Sequence, residues 1–199
     1  MFSAEYSIQN NQNKSLLASG FDAKEVKYQE LNMRWNIIKW FTVECKNQYG
    51  FKLANADYTT NRNYHIAYYF IQPSFILQPN TLFRISLDGK ISEKKNEANL
   101  GGELSKILEL GTQMKWNQAE NGSLQGGFKM IRIEYDGIQN SALGFEMLEA
   151  LKPGINYTWN IGYQRSLSKN LQLSFQYNGR KSENNRVIHS AGMEVRAFF

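Results

Sequence analysis

The sequence predicts an all-β protein: an antiparallel up-and-down transmembrane β-barrel of about ten strands, which either close on themselves or complete a larger barrel. Three observations carry this expectation. Apolar and polar residues alternate one for one over many segments, connections run short and long in turn, and the chain is rich in aromatic residues without any long apolar run.

With 199 residues, 14% aromatic residues, 15 Gly and only 3 Pro, the chain suits one folded domain and does not suit disorder, which is poor in aromatic and β-branched residues. A helical membrane protein is excluded, because a spanning helix needs about 20 consecutive apolar residues. The longest apolar run here is the short Ile66 to Ile71. A barrel crosses with alternating residues, so a mean hydropathy of -0.53 remains compatible with a membrane.

Ala4, Tyr6 and Ile8 alternate near the start, and the first clean strand follows, with Leu31, Met33, Trp35 and Ile37 against Glu30, Asn32, Arg34 and Asn36. Beyond Lys39-Trp40 the pattern repeats, with Phe41, Val43 and Cys45 against Thr42, Glu44 and Lys46. Tyr64 to Leu77 is apolar on both faces, so its register is ambiguous. Phe83, Ile85, Leu87 and Ile91 then oppose Arg84, Ser86, Asp88 and Lys90. Leu108, Leu110, Met114 and Trp116 oppose Glu109, Gln113 and Lys115, which leaves Lys106 on the apolar face and calls for a bulge or a strand end there.

After Phe128 the phase changes. Ile131, Ile133 and Tyr135 are apolar, and a one-residue shift at Gly126-Gly127 is expected to return them to the apolar face, with Arg132 and Glu134 on the polar one. Ile155, Tyr157, Trp159, Ile161 and Tyr163, then Leu171, Leu173, Phe175 and Tyr177, then Met193, Val195, Ala197 and Phe199 complete the series. The strands fall near 2–10, 27–38, 41–54, 64–77, 81–93, 102–117, 123–135, 154–166, 170–181 and 187–199.

Lys39-Trp40, Gln78 to Asn80, Asn117 to Gly122 and Leu167 to Lys169 make short connections. Asn11 to Val26, Asn55 to Asn63, Lys94 to Gly101, Asp136 to Gly154 and Ser182 to Arg186 lie on the opposite rim and are mostly longer. Turns on one rim and loops on the other are the arrangement of outer-membrane barrels. Ala142 to Leu151 has enough helix formers for a short helix or an extra hairpin over the rim.

Alternation does not say which face turns outward, since a soluble ligand-binding barrel alternates with its apolar face inward. Apolar-out is favoured because the polar faces mix acids, bases and amides, as a hydrated lumen requires. The expected lumenal charges are Glu30, Arg34, Glu44, Lys46, Arg84, Asp88, Glu109, Lys115, Arg132, Glu134, Glu194 and Arg196, mutually paired. Aromatic residues also collect toward strand ends, where a bilayer interface favours amphipathic rings. Trp35, Trp40, Phe41, Phe75, Phe83, Trp116, Trp159, Tyr163 and Phe199 are assigned to such interfaces, with Tyr49, Phe51, Tyr135, Tyr157 and Tyr177 toward the long-loop rim.

The ending Met193-Glu194-Val195-Arg196-Ala197-Phe198-Phe199 resembles the C-terminal β-signal by which bacterial outer-membrane barrels are inserted, with Met193, Val195, Ala197 and Phe199 as its alternating residues. From about Phe145 the chain is similar to the C-terminal barrel segment of large outer-membrane proteins of Bacteroidota. The similarity rests on Phe145 to Leu151, Pro153-Gly154, Asn156, Trp159-Asn160, Leu171 to Ser174, Tyr177, Gly179 to Ser182 and Val187 to His189, and covers about a quarter of the chain. It implies localisation in the bacterial outer membrane, a barrel at the end of a longer polypeptide, and lipid and the barrel-assembly machinery as partners. A surface lipoprotein or upstream domains of the same protein would be further partners.

No cofactor is expected. His65 and His189 stand 124 residues apart and Cys45 is single, so no metal-ligand spacing exists; Gly101-Gly102 and Gly126-Gly127 lack the residues of a phosphate loop. The net charge of +5 is dispersed, so nucleic acid is not an expected partner. The expected role is a non-enzymatic membrane anchor, scaffold or transport component, with the loops Asn11 to Val26 and Asp136 to Gly154 contacting extracellular partners. The enzymatic alternative is an omptin-like rim hydrolase using His65 or His189 with Asp57 or Asp136, although no omptin pattern surrounds them. A soluble ligand-binding barrel is the third reading.

Overall fold

The computed structural model describes residues 1–199 except 18–19, 58–61, 119–121, 184 and 199, so Phe199 lies outside the described residues. Ten strands form one sheet in which every strand pairs antiparallel with its sequence neighbour. They are β1 Phe2–Leu17, β2 Gly20–Ile38, β3 Phe41–Ala56, β4 Tyr64–Leu77, β5 Phe83–Asn96, β6 Leu104–Gln118, β7 Gly122–Asp136, β8 Gly154–Ser168, β9 Leu171–Ser182 and β10 Ile188–Ala197. A six-residue helix, α1 Ala142–Met147, lies between β7 and β8.

The sheet is not closed. β1 pairs only with β2 and β10 only with β9, so the expected barrel is here an open sheet with two free edges. Each edge strand keeps one side of its backbone N–H and C=O groups outside the ladder, and both edges are exposed along most of their length. The sheet nevertheless curls: Gln72 of β4 and Ser190 of β10 line one cavity of about 750 Å³.

The register divides the sheet into two walls. Leu31, Val43, Ile71, Leu87, Leu110, Phe128, Ile161, Phe175 and Met193 lie on the outer wall, while Glu30, Lys46, Lys90, Glu109, Asn160 and Glu194 lie on the inner one. Register shifts occur at Asn36/Ile38 and Ser166/Ser168, both beside short turns.

No shift occurs at Gly126-Gly127. Ile131, Ile133 and Tyr135 therefore face inward, and Arg132 and Glu134 face outward, the reverse of the sequence expectation. The reason is α1, which lies on the inner wall near the long-loop end and needs apolar partners there. Leu148 packs with Ile107, Ile131 and Ile133, and Leu143 and Met147 pack with Ala54, Tyr64 and Ile66. Tyr135 joins both clusters, so it does not belong to the outer aromatic set. A helix this short has little intrinsic stability and persists through burial of one side. Ser141 caps it, accepting from the Gly144 N–H at 2.9 Å, and Gly144 is required because a Cβ there would stand 2.4 Å from the Ile138 carbonyl oxygen.

Asn11 to Val26 is not a loop. Asn11 pairs with Val26, Asn13 with Lys24 and Ser15 with Asp22, so β1 and β2 continue as a hairpin almost to their connection. Its residues are mostly polar and its few apolar ones do not alternate, which removes the period-two signal but not the backbone ladder. Asp136 to Gly154 likewise does not extend away from the rim but turns inward through α1. Lys106, the exception on the apolar face, lies near the long-loop end of β6 opposite Glu93 and Glu134, which removes the need for a bulge.

Candidate functional site

The inner wall carries the polar chemistry, and its upper half is organised around α1. Lys94, on β5, is almost fully buried, and its ammonium donates to Glu149 Oε1 at 2.9 Å and to the carbonyls of Met147 at 3.3 Å and Glu146 at 3.4 Å. A cation therefore sits where the helix ends and its free carbonyls concentrate negative charge. The Ser105 hydroxyl donates to the same Met147 carbonyl at 3.2 Å. Lys52 bonds Glu146 from the β3 side.

The chain of charges continues down the wall. Lys90 lies 3.6 Å from Glu149 and 3.2 Å from Glu109, and Glu109 lies 3.4 Å from Lys129. Glu149 and Ala150 follow the helix with φ of 54° and 60°, the left-handed region that non-glycine residues seldom enter. The turn presents the Glu149 carboxylate to Lys94 and Lys90. Burial opposes ionisation of that carboxyl, but the two ammonium groups outweigh it and hold its pKa below the ordinary glutamate value.

Ten of the twelve expected lumenal charges do lie on the inner wall. Lys46 pairs with Glu30 at 2.8 Å, Arg34 with Glu44 at 3.5 Å, and Arg196 with Glu194 at 2.8 Å. Asp88 accepts from Ser86 at 3.4 Å, Glu109 joins the lysine chain, and Arg84 stands opposite Lys115 in register. Arg132 and Glu134 pair with each other at 3.0 Å on the outer wall. Sequence reasoning placed Lys90 on the polar face of its strand but missed Lys52, Lys94, Lys129, Glu146 and Glu149 as its neighbours. Lys94 keeps the strand parity of Asp88 and Lys90 and could have been read from it, whereas Glu146 and Glu149 join the wall only through the loop's inward turn.

On the outer wall Trp35, Phe41, Phe83, Trp116 and Tyr163 lie toward the short-turn rim, with Phe83 and Trp116 paired in register, and Trp40 occupies the Lys39-Trp40 turn. Trp159 lies higher, level with Phe128 and Gly179. Met193, Val195 and Ala197 alternate outward along β10.

The two histidines lie on the same wall and apart from the expected carboxylates. His65 stands 3.1 Å from Glu97, and His189 stacks on Tyr177 with its Nδ1 2.7 Å from the phenol oxygen. Asp57 accepts from the Phe21 N–H at 3.1 Å, and Asp136 pairs with Leu104 in the ladder.

Comparison with family models, curated proteins and solved structures finds no match to this chain.

Proposed function

We infer that the chain is a strand-spanning protein of a bacterial outer membrane, acting as membrane anchor, scaffold or transport component within a larger barrel. One observation carries this reading: most of the large exposed apolar side chains of the strands lie on the wall opposite most of the ion pairs. Trp35, Ile71, Phe75, Leu87, Ile91, Leu110, Trp116 and Ile161 are all exposed on the outer wall. A band of this extent in water would be a severe aggregation hazard, and in lipid it is the expected surface. A soluble ligand-binding barrel would need these residues facing its interior.

The free edges of β1 and β10 bear on the same reading. Backbone groups left without partners in hydrocarbon cost several kcal/mol each. Further strands, from the same polypeptide or a partner, would satisfy them and enlarge the barrel around the inner wall.

The test is reconstitution into phosphatidylcholine vesicles with brominated acyl chains, read by tryptophan emission. Trp35, Trp116 and Trp159 all face outward, so strong quenching is expected. Unquenched emission from a chain that stays monomeric without detergent overturns the reading.

A further inference from the structure

We propose that the short-turn half of the inner wall holds an oxyanion-binding site built on Arg84 and Lys115, which takes the phosphate or carboxylate group of an anionic solute. The two cations are cross-strand partners on β5 and β6, and neither has an ion pair or side-chain hydrogen bond among the described residues. Like charges directly opposite in a sheet repel. Elsewhere on the wall Lys46, Lys52, Lys90, Lys94, Lys129 and Arg196 each meet a carboxylate, and Lys24 and Arg180, which have no ion pair among the described residues, stand opposite no cation: Lys24 faces Asn13 and Ala54, and Arg180 faces Thr158 and Ile188.

The surroundings of the pair are polar and uncharged, with amides that can turn a donor toward an anion. A cavity of about 420 Å³ is lined by Arg84, Ser86, Gln113, Lys115, Gln125 and Asn160, with no carboxylate. Four other described cavities each include at least two glutamates. The nearest carboxylate on β5, Asp88, is not part of this lining; it accepts from the Ser86 hydroxyl at 3.4 Å, so Ser86 is not a free donor and the site rests on Arg84, Lys115 and the amides.

Two glycines shape the floor. A Cβ at Gly127 would stand 2.6 Å from Asn160 Oδ1, and one at Gly162 would stand 2.8 Å from Gln125 Nε2. Their missing side chains let both amides lie flat across the wall beside Lys115, which pairs with Gln125 in register. A guanidinium, an ammonium and three amides converging without an acid match the several acceptor oxygens of a phosphate or carboxylate. As a step in a transport pathway the site rests on the membrane reading above.

The test is titration of inorganic phosphate, and separately acetate, into the full chain in non-ionic detergent, followed by calorimetry and thermal unfolding. Saturable binding of either anion is expected, and it should raise the unfolding temperature. Arg84→Gln with Lys115→Gln should weaken binding about tenfold or more. The same double variant should unfold no earlier than the parent without anion, since it removes a repulsion, so loss of fold does not mask the result. Lys46→Gln, which removes a cation already paired with Glu30, should leave binding unchanged. Absence of saturable binding by both anions, or equal binding by the double variant, overturns the site. The assay needs no bilayer, so lost binding with intact tryptophan quenching rejects this site alone, whereas lost quenching rejects the membrane reading.

Discussion

The two halves of the inner wall share one sheet and one alternation yet differ in kind. Near the long-loop end, α1 covers Ala54, Tyr64, Ile66, Ile107, Ile131 and Ile133, and the buried cation there, Lys94, is saturated with acceptors. Toward the short turns no described element covers the wall, and Arg84, Lys115 and Gln113 are exposed. A strand's period fixes which side chains share a face. Whether that face is dry or hydrated depends on what the rest of the chain lays over it.

The comparison predicts a steep contrast in stability between equal-sized changes. Met147→Ala empties a fully buried site under α1 and should cost about 2–5 kcal/mol. Gln113→Ala, on the uncovered half, should stay within about 0.5 kcal/mol. Equilibrium unfolding in detergent measures both, and equal losses would break the distinction between the halves.

Lys94→Met should cost roughly 1–3 kcal/mol, because it removes the buried ammonium from the Glu146 and Met147 carbonyls and leaves the Glu149 carboxylate only the longer contact with Lys90. Lys46→Met removes a more exposed partner of Glu30 and should cost at most about 1 kcal/mol. Limited proteolysis within residues 137–153 sharpens the point, since cleavage should rise in the first variant and not in the second. Ser141→Ala removes the helix cap and should cost about 1 kcal/mol in the same assay.

The smallest effect is on pH. Glu149 titrates lower when docked between Lys94 and Lys90 than when free, so its contribution to docking is complete above the ordinary glutamate pKa. That contribution fades as pH falls through the lowered value. Protease sensitivity of residues 137–153 should therefore increase on acidification below about pH 4.3. Glu149→Gln should flatten that dependence, and an unchanged profile would show that the carboxylate does not hold the loop.

Much of the strand order was legible because most strands from Glu30 onward carry a local signal. Leu31 to Ile37, Phe83 to Ile91 and Ile155 to Tyr163 each reveal their own parity without reference to a neighbour. The signal failed where its physical cause was absent. Asn11 to Val26 is mostly polar, and its few apolar residues, such as the paired Leu16 and Phe21, do not alternate, so no period marks the ladder that joins Asn11 to Val26. Tyr64 to Leu77 is apolar on both faces, and its inner residues Tyr64 and Ile66 are explained only by the helix above them.

The sequence by itself determined that the chain makes alternating antiparallel strands with one apolar and one charged wall, because period-two patterning is a property of each strand alone. It also placed ten of the inner-wall charges. Tertiary structure decided the rest. Ile131 and Ile133 face inward and Arg132 and Glu134 outward because α1 supplies an apolar cover on one side of β7. Glu146 and Glu149 reach Lys52, Lys94 and Lys90 only because a loop turns back over the sheet. Pairing of the outermost strands is non-local as well: β1 and β10 are the farthest apart in the chain, and no local pattern says whether their edges meet each other or a further strand.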